Sequence, residues 1–185
     1  MKDLGTKTLE TERLILRRFD INDVEELFYN GYITDEKMTE NLSWKPCKTL
    51  EEQRKIIENW VKQYEKNDFY KWLIETKDTH ELIGGIDICN LYKNKDYGEV
   101  GYCIGSKYWN QGYATEALRR VIEYLLIECE FHLVEAHHAG YNTASGRVME
   151  KAGMKKDAEL RERRFDKNTG KYTTQVYYSI IKDEL

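Results

Sequence analysis

Residues 99–115, reading EVGYCIGSKYWNQGYAT, are where residue type and spacing in this chain first point to chemistry. The first half alternates as a β-strand does, and a short polar loop carrying Gly112 then runs straight into a helical pattern. The first N–H groups of a helix have no partner inside it, and with the helix dipole they make a site for an anion. A glycine at such a turn lets a phosphate approach the backbone closely. A plain helix start needs the same residues, so this segment by itself leaves both readings open. Other phosphate motifs are missing. Residues 140–147 have five residues between glycines, one too many for a Walker A loop, and end in Arg147 instead of Lys; no GxGxxG occurs.

The elements that must position this segment follow from hydrophobic periodicity. A first strand is predicted over residues 9–18, with Leu14 and Leu16 on one face. Asn22 and Glu25 stand at capping-box spacing before a short helix carrying Val24, Leu27 and Phe28. A second helix follows Thr49, where Ile56, Ile57, Trp60, Val61 and Tyr64 form one apolar stripe. Strand patterns over residues 70–75, 82–91 and 97–104, separated by turn-rich stretches, predict an antiparallel meander. A helix over residues 112–129 and a strand over 133–139 complete a parallel, right-handed crossover. A helix over 142–152 precedes strands over 154–165 and 172–181, with Asn168, Thr169 and Gly170 in the turn between them. The fold class is therefore α/β (α+β): a mostly antiparallel sheet of about seven strands with one parallel crossover and about four flanking helices.

Composition narrows the class of partner. The 185 residues, 41% hydrophobic and 34% charged, suit one globular core, and neither repeats nor a proline- or glycine-rich linker divide them. Lys and Arg number 29 against 33 Asp and Glu, a net charge of −4, the wrong sign for a nucleic-acid binder. Cys47, Cys89, Cys103 and Cys129 are widely spaced, without CxxC or zinc-finger spacing, and read as reduced thiols. No signal-peptide or membrane-spanning run is found, so a cytoplasmic protein is expected. On that expectation the final KDEL and the Asn41-Leu42-Ser43 sequon are idle.

The segments YWNQGYATEAL at 108–118 and NTASGRVMEKAGM at 142–154 resemble the GNAT superfamily of acyl-CoA N-acyltransferases. Together with TERLILRRF at 11–19 and ELIGGIDI at 81–88, they are similar to its Rim-type branch, which includes ribosomal-protein N-terminal acetyltransferases. The likeness spans residues 8–182 of a single N-acetyltransferase domain, 1–185. It implies acetyl-CoA as cosubstrate, no metal, and an amine-bearing acceptor, a protein N-terminus or a small molecule such as a polyamine or antibiotic. It is compatible with a homodimer, and a non-catalytic acyl-CoA sensor is the alternative from another class.

The family signature Gln/Arg-x-x-Gly-x-Gly/Ala falls on residues 109–114, which implies that the backbone of Gln111, Gly112, Tyr113, Ala114 and Thr115 holds the CoA pyrophosphate. Trp109 departs from the pattern, and core packing is its expected role. The resemblance also implies pantetheine contacts from the backbone of Cys103 and Ile104 and from the side chain of Asn142, which is equally placed to cap a helix. Ser145 and Arg147 follow in the CoA-facing turn, although Arg147 also reads as a solvated surface charge.

Direct transfer needs a neutral amine, a donor to the carbonyl oxygen and a proton for the departing thiolate. Glu99 is the first candidate base, with a pKa raised by a partly buried cleft; a charge paired with a neighbour is the competing reading. His138 is the second, with His137 on the opposite face of its strand. The position at which many members carry an acidic Tyr is Met149, which has no proton to give, and Ser145 is the nearby hydroxyl. A backbone N–H at Cys103 or Ile104 serves the oxyanion. The aromatic residues Trp44, Trp60, Tyr64 and Phe69 read as core more readily than as an acceptor cage.

Overall fold

The structure, a computed structural model, describes residues 1–185 apart from Asn41, Ser43, Lys167 and Asn168. The sequon and the first residue of the last turn thus lie outside the described residues. The strands are β1 (Leu9–Glu10), β2 (Leu14–Arg17), β3 (Lys71–Thr76), β4 (Leu82–Tyr92), β5 (Tyr97–Ile104), β6 (Leu133–Ala139), β7 (Lys155–Asp166) and β8 (Lys171–Ile181). The helices are α1 (Val24–Tyr29), α2 (Glu36–Thr39), α3 (Leu50–Gln63), α4 (Tyr113–Glu123) and α5 (Thr143–Lys151). All eight strands form one sheet in the order β1-β2-β3-β4-β5-β6-β8-β7, antiparallel except for β5 and β6.

Alternation along the strands divides the apolar residues between two cores. Trp72 and Ile74 look toward α4 and join Leu14, Leu16, Leu118 and Val121, whereas Leu73 looks the other way, toward Val24, Leu27 and Ile57 of α1 and α3. Each such fully buried side chain contributes about 1.5–3 kcal/mol by leaving water. The last turns of the α4 segment widen at Tyr124–Glu128, where Cys129 N–H reaches back five residues to Tyr124 O at 3.0 Å.

Four local readings change. The expected first strand is a hairpin, since Leu9 pairs with Leu16 and Glu10 with Ile15 across a turn at residues 11–13. That turn is why eight strands stand where about seven were predicted. The capping box belongs to Asp20 and Asp23, ahead of a 3-10 turn, and not to Asn22 and Glu25. Thr49 does cap α3, accepting a hydrogen bond from Glu52 N–H at 3.2 Å, but the buried stripe of that helix runs through Gln53, Ile57, Trp60 and Tyr64. Ile56 and Val61 face outward. The short α2 carried no periodic signal. No helix among the described residues is long and apolar enough to cross a membrane.

β5 and β6 pair only at Tyr97↔Leu133, Gly98↔Val134 and Glu99↔Glu135. Gly98 allows that approach, because a Cβ there would press on the Phe131 ring at 3.0 Å and on Ile88 at 3.1 Å. Beyond Glu99 the two strands share no partners, and β6 continues against β8 alone. β5 is held in place from its other side, where Gly84 of β4 passes so close that a Cβ would collide with the carbonyl of Cys103. Gly84→Ala is therefore expected to destabilise the fold by about 1–3 kcal/mol, as overpacking against backbone does. A urea-denaturation midpoint equal to that of the wild type would refute the close-contact account.

Candidate active site

The gap left by the parting strands holds a cavity of about 260 Å³. Val100, Gly101 and Tyr102 of β5 form one wall, and His137, His138 and Ala139 of β6 the other. Backbone polarity in the gap follows from the β4–β5 ladder. Gly105 N–H donates to Ile83 O at 2.8 Å, and in the same register Cys103 pairs with Gly85, so Cys103 spends its peptide groups on β4. Val100, Tyr102 and Ile104 alternate with it and turn theirs toward the gap. Of the two residues expected to offer backbone to the arm, Ile104 thus turns its N–H toward the gap, whereas the Cys103 peptide groups face β4. Burial pushes the Cys103 thiol up to about 12, so it stays protonated and is no nucleophile.

At the mouth of the gap the chain makes the predicted loop and enters α4. Gly112 has φ +85°, preceded at Asn110 by φ +62°. The first helical bond is Glu116 N–H to Gly112 O at 3.0 Å, so the amides before it have no partner within the helix. A Cβ on Gly112 would meet only Arg13 Nη2, at 3.3 Å. Trp109, expected in the core, is partly exposed, and its indole N–H donates to Ile104 O at 2.7 Å. It fastens the loop to the end of β5, a job that Gln or Arg could do with other donors.

The loop is anchored by two residues that sequence reading missed. Glu116 accepts hydrogen bonds from Thr11 Oγ1 at 2.6 Å, Arg13 N–H at 2.9 Å and Arg13 Nε at 2.7 Å. Arg13 also donates to Gln111 O at 3.0 Å and lies 4.5 Å over the Tyr113 ring. Burial pushes the Glu116 carboxyl up, but the bonds from Thr11 and Arg13 outweigh it and leave the group below the ordinary range. The only signal was TER followed a hundred residues later by an acid in the first turn of a helix, a pairing that no local pattern reveals.

Glu99 stands at the foot of the gap. His137 Nδ1 lies 3.0 Å from Glu99 Oε1, close but off the line of a good hydrogen bond, while Asn90 Nδ2 donates to Oε2 at 3.0 Å. Asn90 faces Glu99 because a bulge at Cys89 shifts the β4 register there. His137 outweighs burial, and with Asn90 holds the Glu99 carboxyl below its ordinary pKa, the opposite of the raised value expected. Glu135 beside it is pushed up by burial and by Glu99. His138 points to the other face, buried under Gly146 of α5, with Nδ1 2.8 Å from Ala139 O. Of the two histidines, His138 does the packing.

Over the gap, α5 presents Asn142, Ser145 and Met149. Asn142 caps the helix, its Oδ1 accepting from Ser145 N–H at 3.3 Å. Tyr102 reaches across from β5 and places its hydroxyl 2.9 Å from both Ser145 Oγ and Ser145 O. Burial raises the Tyr102 phenol well above its ordinary pKa, so it remains a donor. Arg147 is exposed and donates to Thr143 Oγ1 at 3.2 Å, away from the cavity. Among the described residues no group of His, Cys, Asp and Glu is arranged to hold a metal.

Two parallel strands that part beyond Glu99, the first leading through a glycine turn into a helix whose first amides are unpartnered, are the features that set this domain apart. Residues 13–155 match the acetyltransferase (GNAT) domain, and the chain belongs to that family of N-acetyltransferases. It is 31% identical over 174 residues to the uncharacterized N-acetyltransferase YoaA of Bacillus subtilis (strain 168), covering 94% of this chain and 96% of that one. A GNAT-family acetyltransferase from Bacillus anthracis superposes with a TM-score of 0.82 at 25% identity, over 96% of this chain and 100% of its own. RimL, a ribosomal L7/L12 alpha-N-protein acetyltransferase solved with coenzyme A, shares the fold with a TM-score of 0.81 at 18% identity, over 97% and 100%.

Glu75, Glu99 and Glu116 all have folded-state pKa values held below the ordinary range. The unfolded chain binds protons at about 4.3 for Glu, so the stabilisation these groups give is complete above that pH and is lost as pH falls through their folded values. Denaturant midpoints measured from about pH 6 down to pH 3 should therefore fall steeply, and Glu116→Gln should be less stable at pH 6 with a shallower acid limb. An acid limb in Glu116→Gln as steep as the wild type's would remove Glu116 from this account.

Proposed function

We propose that this chain transfers the acetyl group of acetyl-CoA to a primary amine, by direct attack within a ternary complex. The observation that carries the reading is the succession along one stretch of chain, in which β5, parted from β6 beyond Glu99, leads into the Gly112 turn and the unpartnered first amides of α4. The unpartnered N–H groups of Gln111, Gly112, Tyr113, Ala114 and Thr115 suit the pyrophosphate, and the open side of Gly112 leaves room for it. The pantetheine arm adds as a strand against the peptide groups of Tyr102 and Ile104, with Asn142 alongside.

Acetyl-CoA supplies the activated acyl group, and the chain supplies the rest. Backbone N–H groups of β5 facing the gap polarise the carbonyl oxygen. The Ser145 hydroxyl gives its proton to the departing sulfur, and Tyr102, bonded to it, holds that hydroxyl in place. A thiol's pKa of about 8.5 makes this help modest, so the absence of a donor at Met149 is no obstacle. On the acceptor side, Glu99 and Glu135 attract an ammonium group. A protein N-terminus, as in the name of RimL, is the first acceptor class, and small amines such as polyamines or aminoglycosides are the second.

Thiol release from acetyl-CoA, measured over N-terminal peptides, polyamines, aminoglycosides and amino acids, tests the reading. Turnover with one class establishes the enzyme and its acceptor; silence across the panel with CoA bound in a calorimeter favours an acyl-CoA sensor or an acceptor outside the panel. Gly112→Val should weaken CoA binding at least about tenfold, which is about 1.4 kcal/mol. Unchanged affinity would show that the pyrophosphate lies elsewhere.

A further inference from the structure

His137 has no part in the transfer proposed for this chain, the reading on which a role for it rests. Glu99 is the last β5 residue paired with β6, and His137 lies two residues beyond its partner Glu135, on the same face. Two groups flank the His137 ring. Its Nδ1 edge faces Glu99 at 3.0 Å, and its flat face stacks on Tyr177, its β8 register partner, with ring centroids 5.0 Å apart. Glu99 in turn is held by Asn90. His137 is one of the residues that line the cavity, and no described residue makes a hydrogen bond to its Nε2.

We infer that His137, through Nε2, takes the proton from the acceptor's ammonium group, and that Glu99 is the positioning residue that fixes the ring and balances the imidazolium. A carboxylate already held below its ordinary range is a poor proton acceptor near neutrality, whereas imidazole as a group titrates there. The other titratable groups facing the pair are Glu135 on β6, Asp157 and Arg164 on β7, Tyr177 on β8, and Cys89 and Tyr92 on β4.

The step balances. The ammonium gives one proton to Nε2. The freed nitrogen lone pair forms the C–N bond at the thioester carbon as the C–S bond breaks, and sulfur keeps that electron pair. Ser145 protonates the sulfur and recovers a proton from the nitrogen, and His137 releases its own to water. Ammonium and acetyl-CoA thus give acetamide, free thiol and one proton.

The test compares the wild type with His137→Gln, His137→Ala and Glu99→Gln on an amine that the wild type accepts, from about pH 5.5 to 9. His137→Gln should lower kcat about 100-fold or more, with acetyl-CoA affinity by calorimetry within about twofold, and should lose the acidic limb that does not move with the acceptor's own pKa. Added imidazole should restore part of the turnover of His137→Ala, which no structural role would allow. Glu99→Gln should lose about tenfold in kcat and keep the limb. A limb kept in His137→Gln and abolished in Glu99→Gln would hand the proton to Glu99 and overturn the assignment alone. A wild type silent with every amine would overturn the transferase reading and this assignment with it.

Discussion

A parallel pair of strands that stays together for three residues and then separates is the constraint on which the rest of this molecule depends. Parallel strands inside a sheet ordinarily satisfy each other's peptide groups along their whole length. Here β5 and β6 do so only from Tyr97 to Glu99, and each is then supported from its far side, β5 by β4 and β6 by β8. Of the β5 groups that turn toward the gap, the Ile104 carbonyl is taken by the Trp109 indole, while Tyr102 has no strand partner on that side. An unpaired buried backbone donor costs about 1–3 kcal/mol, so an extended chain bearing amides is the natural occupant.

Electrostatics then orient the two ends of that slot. At the mouth, the positive end of α4 is fixed by Glu116, whose several donors come from the turn between β1 and β2. A carboxylate thus brings the start of the chain to the first turn of a helix a hundred residues on, and, with Arg13 donating to Gln111 O, ties down the loop that enters that helix. At the foot, Glu99 is surrounded by Asn90, His137 and Glu135, a cluster assembled from three strands. The cluster exists because a bulge at Cys89 changes which β4 side chain lies opposite Glu99.

Much of the architecture was legible in the sequence. The strands at β5 and β6 were read to the residue, and the α4 and α5 starts at Gly112 and Asn142 came from cap chemistry that is local and strong. Errors came where tertiary contacts override local pattern. The stripe of α3 was misplaced because Gln53, a polar residue, is fully buried while Ile56 and Val61 are not. Core packing is the expectation for Trp109, whereas the structure leaves it partly exposed with its N–H aimed at Ile104 O, a tie that no local pattern announces.

The sequence by itself determined the order of elements, the glycine turn into α4 and the membership that those motifs imply, because each is written in neighbouring residues obeying short-range rules. It could not decide which of two adjacent histidines faces the gap usefully, nor the charge state of Glu99, nor the tie between Arg13 and Glu116. Those properties depend on side chains from separate strands meeting at about 3 Å, and on how far burial removes them from water. Register and packing set such distances, and only the folded sheet defines them.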